Sequence, residues 1–368
     1  MTMHIAGIGT ALPEHHLTQS DAVELHARFC RIDDARARTL RALYRRSGID
    51  TRGSVVLDRS EGPLEARQHF YPPASDEDDR GPATEARMQA YARHAPELAL
   101  RAAAQALDRA GIAGAEVTHL VTVSCTGFVS PGVEAALIEQ LGLPRSTERT
   151  NVGFMGCHGA LNGLRVARSF VDTDPAAVPL VCAVELCTLH FAYGWDPEMI
   201  VANALFADGA AALVGRGADH ATMSGGGPSW RIAATGTLLM DASADAMTWK
   251  VGDHGFRMTL SAQVPVLIEA HLRDWLDGWL AKHGLRVEDV ASWAVHPGGP
   301  RILGAVERAV GLSREDTAAA RAVLAECGNM SSPTILFILE RMRAAGAPTP
   351  CVALAFGPGL VVEATLFL

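Results

Sequence analysis

Asn151–Phe170 reads NVGFMGCHGALNGLRVARSF, a short run ending in Gly-Phe-Met-Gly that delivers Cys157 to the mouth of a segment with helical periodicity. Ala160, Leu161, Leu164 and Ala167 recur on one face, while Arg165 and Arg168 turn away from it. Gly156 and Gly159 keep bulk off the thiol and permit the close approach that a strand-to-helix turn needs. A thiol at a helix N-terminus faces unsatisfied N–H groups and the positive end of the dipole. Free cysteine has a pKa of about 8.5 and such settings lower it, so the stretch has the makings of a nucleophile. Taken alone, it fits a packed core thiol equally well. Its partners further along the chain decide between the two.

With 368 residues, 48% of them hydrophobic, the chain can bury a large core as two domains or one fused pair. A net charge of −9 argues against nucleic acid as a partner, because phosphate binding needs a basic face. No run of about 18 apolar residues is present to insert into a membrane, and Met1–His4 leads straight into a strand-like run, so the expected location is the cytoplasm. Cys30, Cys125, Cys157, Cys182, Cys187, Cys327 and Cys351 are odd in number and scattered, which fits reduced thiols rather than a disulfide framework. Cys182, Cys187 and His190 have a metal-like spacing. They belong, however, to a buried strand pattern with no second ligand pair nearby, so no metal is expected. Gly7 and Gly9 follow a short apolar run, but the third glycine and the acid-ended βαβ unit of a dinucleotide loop are missing.

Arg28, Arg31, Arg36, Arg38, Arg41, Arg45, Arg46 and Arg52 form a charge run whose plainest reading is a solvated helix face; the functional reading is a landing site for substrate phosphates. Pro72–Pro82 is a polar, proline-rich surface loop, and Thr84–Ala110 an alanine-rich helix bent or restarted at Pro96. Three landmarks then occur twice, offset by about 170 residues. A β-like run ends in Ser-Cys-Thr-Gly (His119–Val123) and again in His-Pro-Gly-Gly (Ser292–Val295). A glycine-led turn into an apolar helix follows each, at Gly156-Cys157 and at Gly328-Asn329, and a buried-type strand follows each helix, at Leu180–Leu186 and Cys351–Ala355. The order strand–helix–strand implies an α/β chain of two related halves, each a parallel sheet covered by helices, jointed at Gly225–Pro228. Loops at the carboxyl ends of such strands collect reactive groups, so symmetric packing puts Cys157 and Asn329 at equivalent helix starts with His296 on a neighbouring strand end, and the three converge. Imidazole beside a thiol activates it for acyl transfer, and an amide and an imidazole N–H aimed at one point hold an oxyanion or an enolate.

His296-Pro-Gly-Gly-Pro, Gly328-Asn-Met-Ser-Ser-Pro and Phe356-Gly-Pro-Gly-Leu are similar to the signatures of type III polyketide synthases, the chalcone synthase-like branch of the thiolase superfamily. Gly156-Cys157 falls where that family's nucleophile does, and the resemblance covers nearly the whole chain. It implies a thiolase-like fold in which two related αβαβα halves form a five-layered core, residues 1–225 carrying the cysteine and 226–368 the histidine and asparagine. It implies a homodimer that uses an acyl-CoA starter and malonyl-CoA as extender, with coenzyme A thioesters as substrates and no cofactor. Cys157 would carry the growing chain, and His296 would keep that cysteine ionised. With Asn329, His296 would also polarise the malonyl thioester and hold the enolate left by CO2 loss. Phe206 matches the aromatic at the junction of tunnel and cavity, and Arg46 a basic residue that contacts coenzyme A phosphates; Arg38 and Arg41 are shifted from the family's other positions.

Departures from the plant members bear on the product. Met258 stands for the second gate aromatic and Trp249 for a small glycine that opens the cyclisation cavity. Cys125, Cys187 and His190 replace pocket threonines, while Thr126 and Ser331 fit hydroxyl positions. The WKVGDHGFRM wording resembles bacterial members making alkylpyrones, alkylresorcinols and naphthalene polyols, which favours a fatty acyl or malonyl starter and a pyrone, resorcinol or related aromatic product. The alternative is a single condensation of the kind run by β-ketoacyl carrier protein synthases. A papain-like protease shares the order Cys, His, Asn but would place its cysteine near a mature N-terminus behind a signal and propeptide. A silenced thiolase-fold scaffold is the non-enzyme reading, and the intact trio argues against it.

Overall fold

The computed structural model describes residues 2–217 and 230–368. The Gly225–Pro228 joint lies outside the described residues. The first half runs β1 (Met3–Ala11), β2 (His16–Thr18), α1 (Gln19–Phe29), α2 (Asp34–Arg45), β3 (Thr51–Gly53), α3 (Thr84–Ala110), β4 (His119–Ser124), α4 (Val133–Gln140), β5 (Glu148–Gly153), α5 (Gly159–Thr173), β6 (Pro179–Leu186), α6 (Pro197–Leu205) and β7 (Asp208–Gly217). The second runs β8 (Arg231–Leu239), β9 (Met247–Gly252), β10 (Gly255–Leu260), α7 (Val264–Ala281), β11 (Ser292–Val295), α8 (Pro300–Val310), α9 (Ala318–Cys327), α10 (Thr334–Ala344), β12 (Cys351–Gly357) and β13 (Val361–Phe367).

Among the described residues nine strands hydrogen-bond in the order β11-β12-β13-β8-β1-β7-β6-β4-β5. Within it, β4-β6-β7-β1 and β11-β12-β13-β8 repeat one pattern. The first pair is parallel and the next two are antiparallel. The halves meet where β1 pairs with β8 at Met3↔Ile232. The sheet is therefore mixed, not the parallel one expected from strand–helix–strand order. Strands buried on both faces, such as β6 and β12, read as continuous apolar runs, and such runs carry no direction. Helices complete five layers. α3 covers β1, β6 and β7 on one side; α5 and α10 lie in the middle, touching strands of both halves; α7 packs its Trp279 ring on Gly236 of β8 with α8 alongside.

α3 runs unbroken through Pro96 instead of restarting there. A proline inside a helix costs about 3 kcal/mol, since it removes a hydrogen bond and crowds the preceding turn. The buried Leu98, Ala99, Ala102, Ala103 and Ala106 pack the same helix against the sheet and offset that cost.

Candidate active site

Cys157 sits in a single 3-10 turn, Gly156–His158, between the end of β5 and the start of α5. Gly156 adopts φ +72°, and a Cβ there would lie 2.4 Å from Cδ of Pro358 in the Phe356-Gly-Pro-Gly-Leu loop. Only glycine lets the two loops close on each other around the sulfur. His296 leaves the end of β11 with its N–H on the Leu354 carbonyl, 2.8 Å. Asn329 follows Gly328, and its backbone bridges the end of α6: its N–H donates to Leu205 O and its carbonyl accepts from Ala207 N–H, both at 2.9 Å. Asn329 therefore stands ahead of α10, which begins at Thr334, and not at a helix start equivalent to that of Cys157. Cys157, His296 and Asn329 nonetheless line one cavity, together with Phe206, Met258 and Phe356.

Burial dominates the electrostatics. It pushes the Cys157 thiol up to about 11; the Ser331 and Asn329 side chains favour the thiolate but do not outweigh it, and the nearby Glu185 adds to the rise. Burial likewise drives His296 down to about 3. Among the described residues neither ring nitrogen of His296 has a hydrogen-bond partner, although the residue is 1% exposed. The expectation that the turn alone lowers the cysteine is thus not met. One 3-10 turn offers few aligned N–H groups, and dehydration of the sulfur is the larger effect.

A second cavity adjoins the first across the sulfur, lined by Cys125, Thr126, Cys157, Cys187, Trp249 and Ser331, again with Phe206 and Met258. The Ser331 hydroxyl stands 3.5 Å from Cys125 Sγ and also reaches Cys157. To do so Ser331 takes a left-handed backbone, φ +56°, a strain of roughly 1–2 kcal/mol for a residue with a side chain. Trp249 pairs with Met258 across the β9–β10 hairpin, and its indole N–H holds the Cys125 carbonyl at 2.7 Å. A third cavity runs under α1 and is walled by Leu25, Phe29, Tyr71, Cys187, His190 and Phe191, with Phe206, Trp249 and Met258 at the shared side. Both nitrogens of His190 are used: Nε2–H donates to Thr126 O (2.7 Å) and Nδ1 accepts from Phe256 N–H (3.0 Å). Its ring is thereby fixed as wall, and burial lowers it to about 3. Cys182 turns the other way, towards Ala99 O of α3, which separates it from Cys187 and His190. Among the described residues no cluster of three His, Cys, Asp or Glu is placed to hold a metal ion.

Arg46 is exposed just past α2. The loop after it packs Ile49 against Leu205, a wall residue of the cavity shared by Cys157, His296 and Asn329, and brings Gly48 beside Pro300 of His-Pro-Gly-Gly-Pro. The arginine run divides: seven members are exposed, and Arg41 is held in a two-point ion pair by Glu24 (2.7 and 2.9 Å). The eighth, Arg52, is buried and bonds peptide carbonyls beside Phe206. Sequence reasoning missed Arg52, and it missed Glu185. That carboxylate is wholly buried at the end of β6, accepting from Cys125 N–H (2.9 Å), Thr126 Oγ1 (2.7 Å) and Ser332 Oγ (2.6 Å), and burial raises it above the usual range. The signal was available in PLVCAVEL, where one acid interrupts an apolar strand.

Residues 2–219 match the N-terminal domain, and residues 232–368 the C-terminal domain, of the chalcone and stilbene synthases. Alpha-pyrone synthesis polyketide synthase-like Pks18 of Mycobacterium tuberculosis is 34% identical over 368 residues, spanning 99% of this chain and 90% of the relative. The 1,3,6,8-tetrahydroxynaphthalene synthase of Streptomyces peucetius is 34% identical over 365 residues, spanning 98% and 92%. The crystal structure of PKS-I from the brown alga Ectocarpus siliculosus superimposes with a TM-score of 0.92 at 32% identity, covering 100% of this chain and 98% of that one. Matched along both halves in sequence and in fold, the chain belongs to the chalcone and stilbene synthase family, the type III polyketide synthases.

Proposed function

We propose that this polyketide synthase loads an acyl group from coenzyme A onto Cys157, extends it by repeated decarboxylative condensation with malonyl-CoA, and releases a cyclised pyrone, resorcinol or related aromatic. The observation that carries the reading is the shared cavity of Cys157, His296 and Asn329, with two ring nitrogens of His296 buried inside it and unpartnered among the described residues. Buried polar groups without partners are rare, and a thioester oxygen supplies the missing one. Sulfur attacks the starter thioester as its proton passes to His296, and coenzyme A leaves with that proton. Malonyl-CoA then places its thioester oxygen against His296 and the Asn329 amide. Asn329 Oδ1 is already taken by the Ser331 N–H (2.8 Å), which leaves the NH2 to donate. CO2 departs, the enolate is held by the same two donors, and it attacks the acyl-Cys157 carbonyl. The new carbon–carbon bond forms as the carbon–sulfur bond breaks, and Cys157 leaves as thiolate. The lengthened coenzyme A thioester reloads onto it with release of coenzyme A for the next round. The family assignment favours this reading over a single carrier-protein condensation. Incubation with malonyl-CoA and acyl-CoAs of graded length, products weighed by mass spectrometry, tests it. Products extended more than once support it; a strict need for an acyl carrier protein overturns it.

Phe206 and Met258 line all three cavities, so they stand where a starter, an extender and a growing chain must pass. The cavity under α1 is walled mostly by apolar and aromatic side chains, which suits a linear aliphatic chain. Met258 is an adaptable wall and Trp249 fills the passage between two cavities. Trp249→Gly is expected to lengthen the chains accepted or made, and Met258→Phe to shorten them, by one or more extension units in the product mass distribution. Identical product profiles for both variants and the wild type would remove the aliphatic reading. Arg46 is assigned to the coenzyme A phosphates at the catalytic cavity's mouth. The exposed Phe128, Val129 and Met155 beside the Cys157 turn support a homodimer.

A further inference from the structure

β3 is a clasp on two helix ends. Asp50 N–H, just before it, donates to Ala325 O (2.8 Å), and Thr51 Oγ1 donates to Glu326 O (2.7 Å), closing the C-terminus of α9 that leads into Asn329. Arg52, the next residue, reaches the other helix: one guanidinium nitrogen donates to Asn203 O (2.5 Å) and to Phe206 O (2.9 Å), closing the C-terminus of α6 that leads into Phe206. The helix ends are themselves in register through the Phe206↔Asn329 bridge. Gly328 permits that closeness: a Cβ there would lie 2.8 Å from Ala207 Cβ and 3.3 Å from Arg52 Cβ. Arg52 is 8% exposed, lies over the Tyr44 ring at 5.6 Å, and bonds carbonyls at the exposed end of a helix dipole. A buried guanidinium is unfavourable unless its donors are used, and here one nitrogen is used twice on the backbone that carries the gate, which the Phe206↔Asn329 bridge ties to the amide.

We propose that Arg52 is a positioning residue for the extension half-reaction, holding the Phe206 and Asn329 backbones in the register that aims the Asn329 amide at the malonyl thioester. This rests on the synthase reading above. Starter loading needs Cys157 and His296, which hang on α5 and β11, away from the clasp. Extension also needs Asn329, which hangs on it. Disturbing Arg52 therefore separates the two half-reactions, because a displacement of about 1 Å in a positioned group costs on the order of 100-fold in rate.

The test uses the whole protein and two readouts. Loading is followed as the acyl adduct on intact protein with an acyl-CoA alone. Decarboxylation is followed with malonyl-CoA alone, which loses CO2 and gains a proton to give acetyl-CoA. Arg52→Lys keeps the charge but not the forked geometry. The expected result is a fall of roughly 10- to 100-fold in decarboxylation, a change under about threefold in loading, and a broader chain-length distribution as Phe206 loosens. Tyr44→Phe, which weakens the support under the guanidinium, shifts the same ratio in the same direction by less; if Arg52→Lys loses its cooperative melt, the Tyr44→Phe comparison decides. Equal losses in both half-reactions, or none in either, would overturn the role of Arg52 alone. A wild-type protein inactive in both would overturn the synthase reading beneath it.

Discussion

Cys157→Ala is expected to end polyketide formation, lowering product from acyl-CoA and malonyl-CoA by a factor on the order of 10³ or more. The result is not trivial, because two further thiols share the cavity. Cys125 and Cys187 are both held well above the usual thiol range, first by burial and then by the Glu185 carboxylate. They remain protonated at neutral pH and have no unpartnered imidazole opposite them, so neither replaces the lost nucleophile. Intact-protein mass after incubation with an acyl-CoA should therefore show one adduct on the wild type and none on the variant. Malonyl-CoA decarboxylation should persist in the variant, since His296 and Asn329 stand on other elements. An acyl adduct on Cys125 or Cys187 of the variant, with retained product, would show that the chemistry does not depend on the sulfur after Gly156.

That sulfur was legible from sequence because its setting is local: a strand end, a glycine with φ +72° and an amphipathic helix all fall within Asn151–Phe170. The repeated landmarks were legible too, and the two halves do share a strand order. The direction of β7 and β13 was not, because both are buried along their length, and burial erases the alternation that marks antiparallel pairs. His296 and Asn329 became identifiable only through the wording around them; a histidine after a strand and an asparagine after a glycine are common. Arg52 shows a different limit. A run of eight arginines averages to a solvated face, and that average is right for seven. Nothing local marks the eighth as buried, because its partners are carbonyls about 150 residues away. Glu185 and the Asp208 carboxylate, raised to about 6 beneath Thr188 and Val55, belong to the same class: buried acids whose partners are assembled by the fold.

His296→Ala carries the second large effect, and pH separates its causes. In the resting arrangement burial opposes charge on either group alone, holding the thiol near 11 and the imidazole near 3. A thiolate and an imidazolium formed together offset much of that penalty, since each supplies the other's counter-charge in a medium of low dielectric. On the proposed mechanism the pair ionises as a unit, and its apparent titration belongs to neither residue. Removing His296 leaves the thiol with its burial and no proton acceptor. A raised thiol pKa means that the reactive form accumulates only as pH rises, so at pH 7 nearly all of the variant's Cys157 stays a thiol. Alkylation of Cys157 by iodoacetamide should then climb about tenfold per pH unit from 7 to 10 in the variant, whereas the wild type reacts on the order of 100-fold faster at pH 7 and levels off. Turnover should fall further than alkylation does, because the variant also loses one of two donors to the enolate. Superimposable alkylation profiles for the two proteins would show that His296 does not take the cysteine's proton. Its unpartnered nitrogens would then have to be assigned to the malonyl thioester alone.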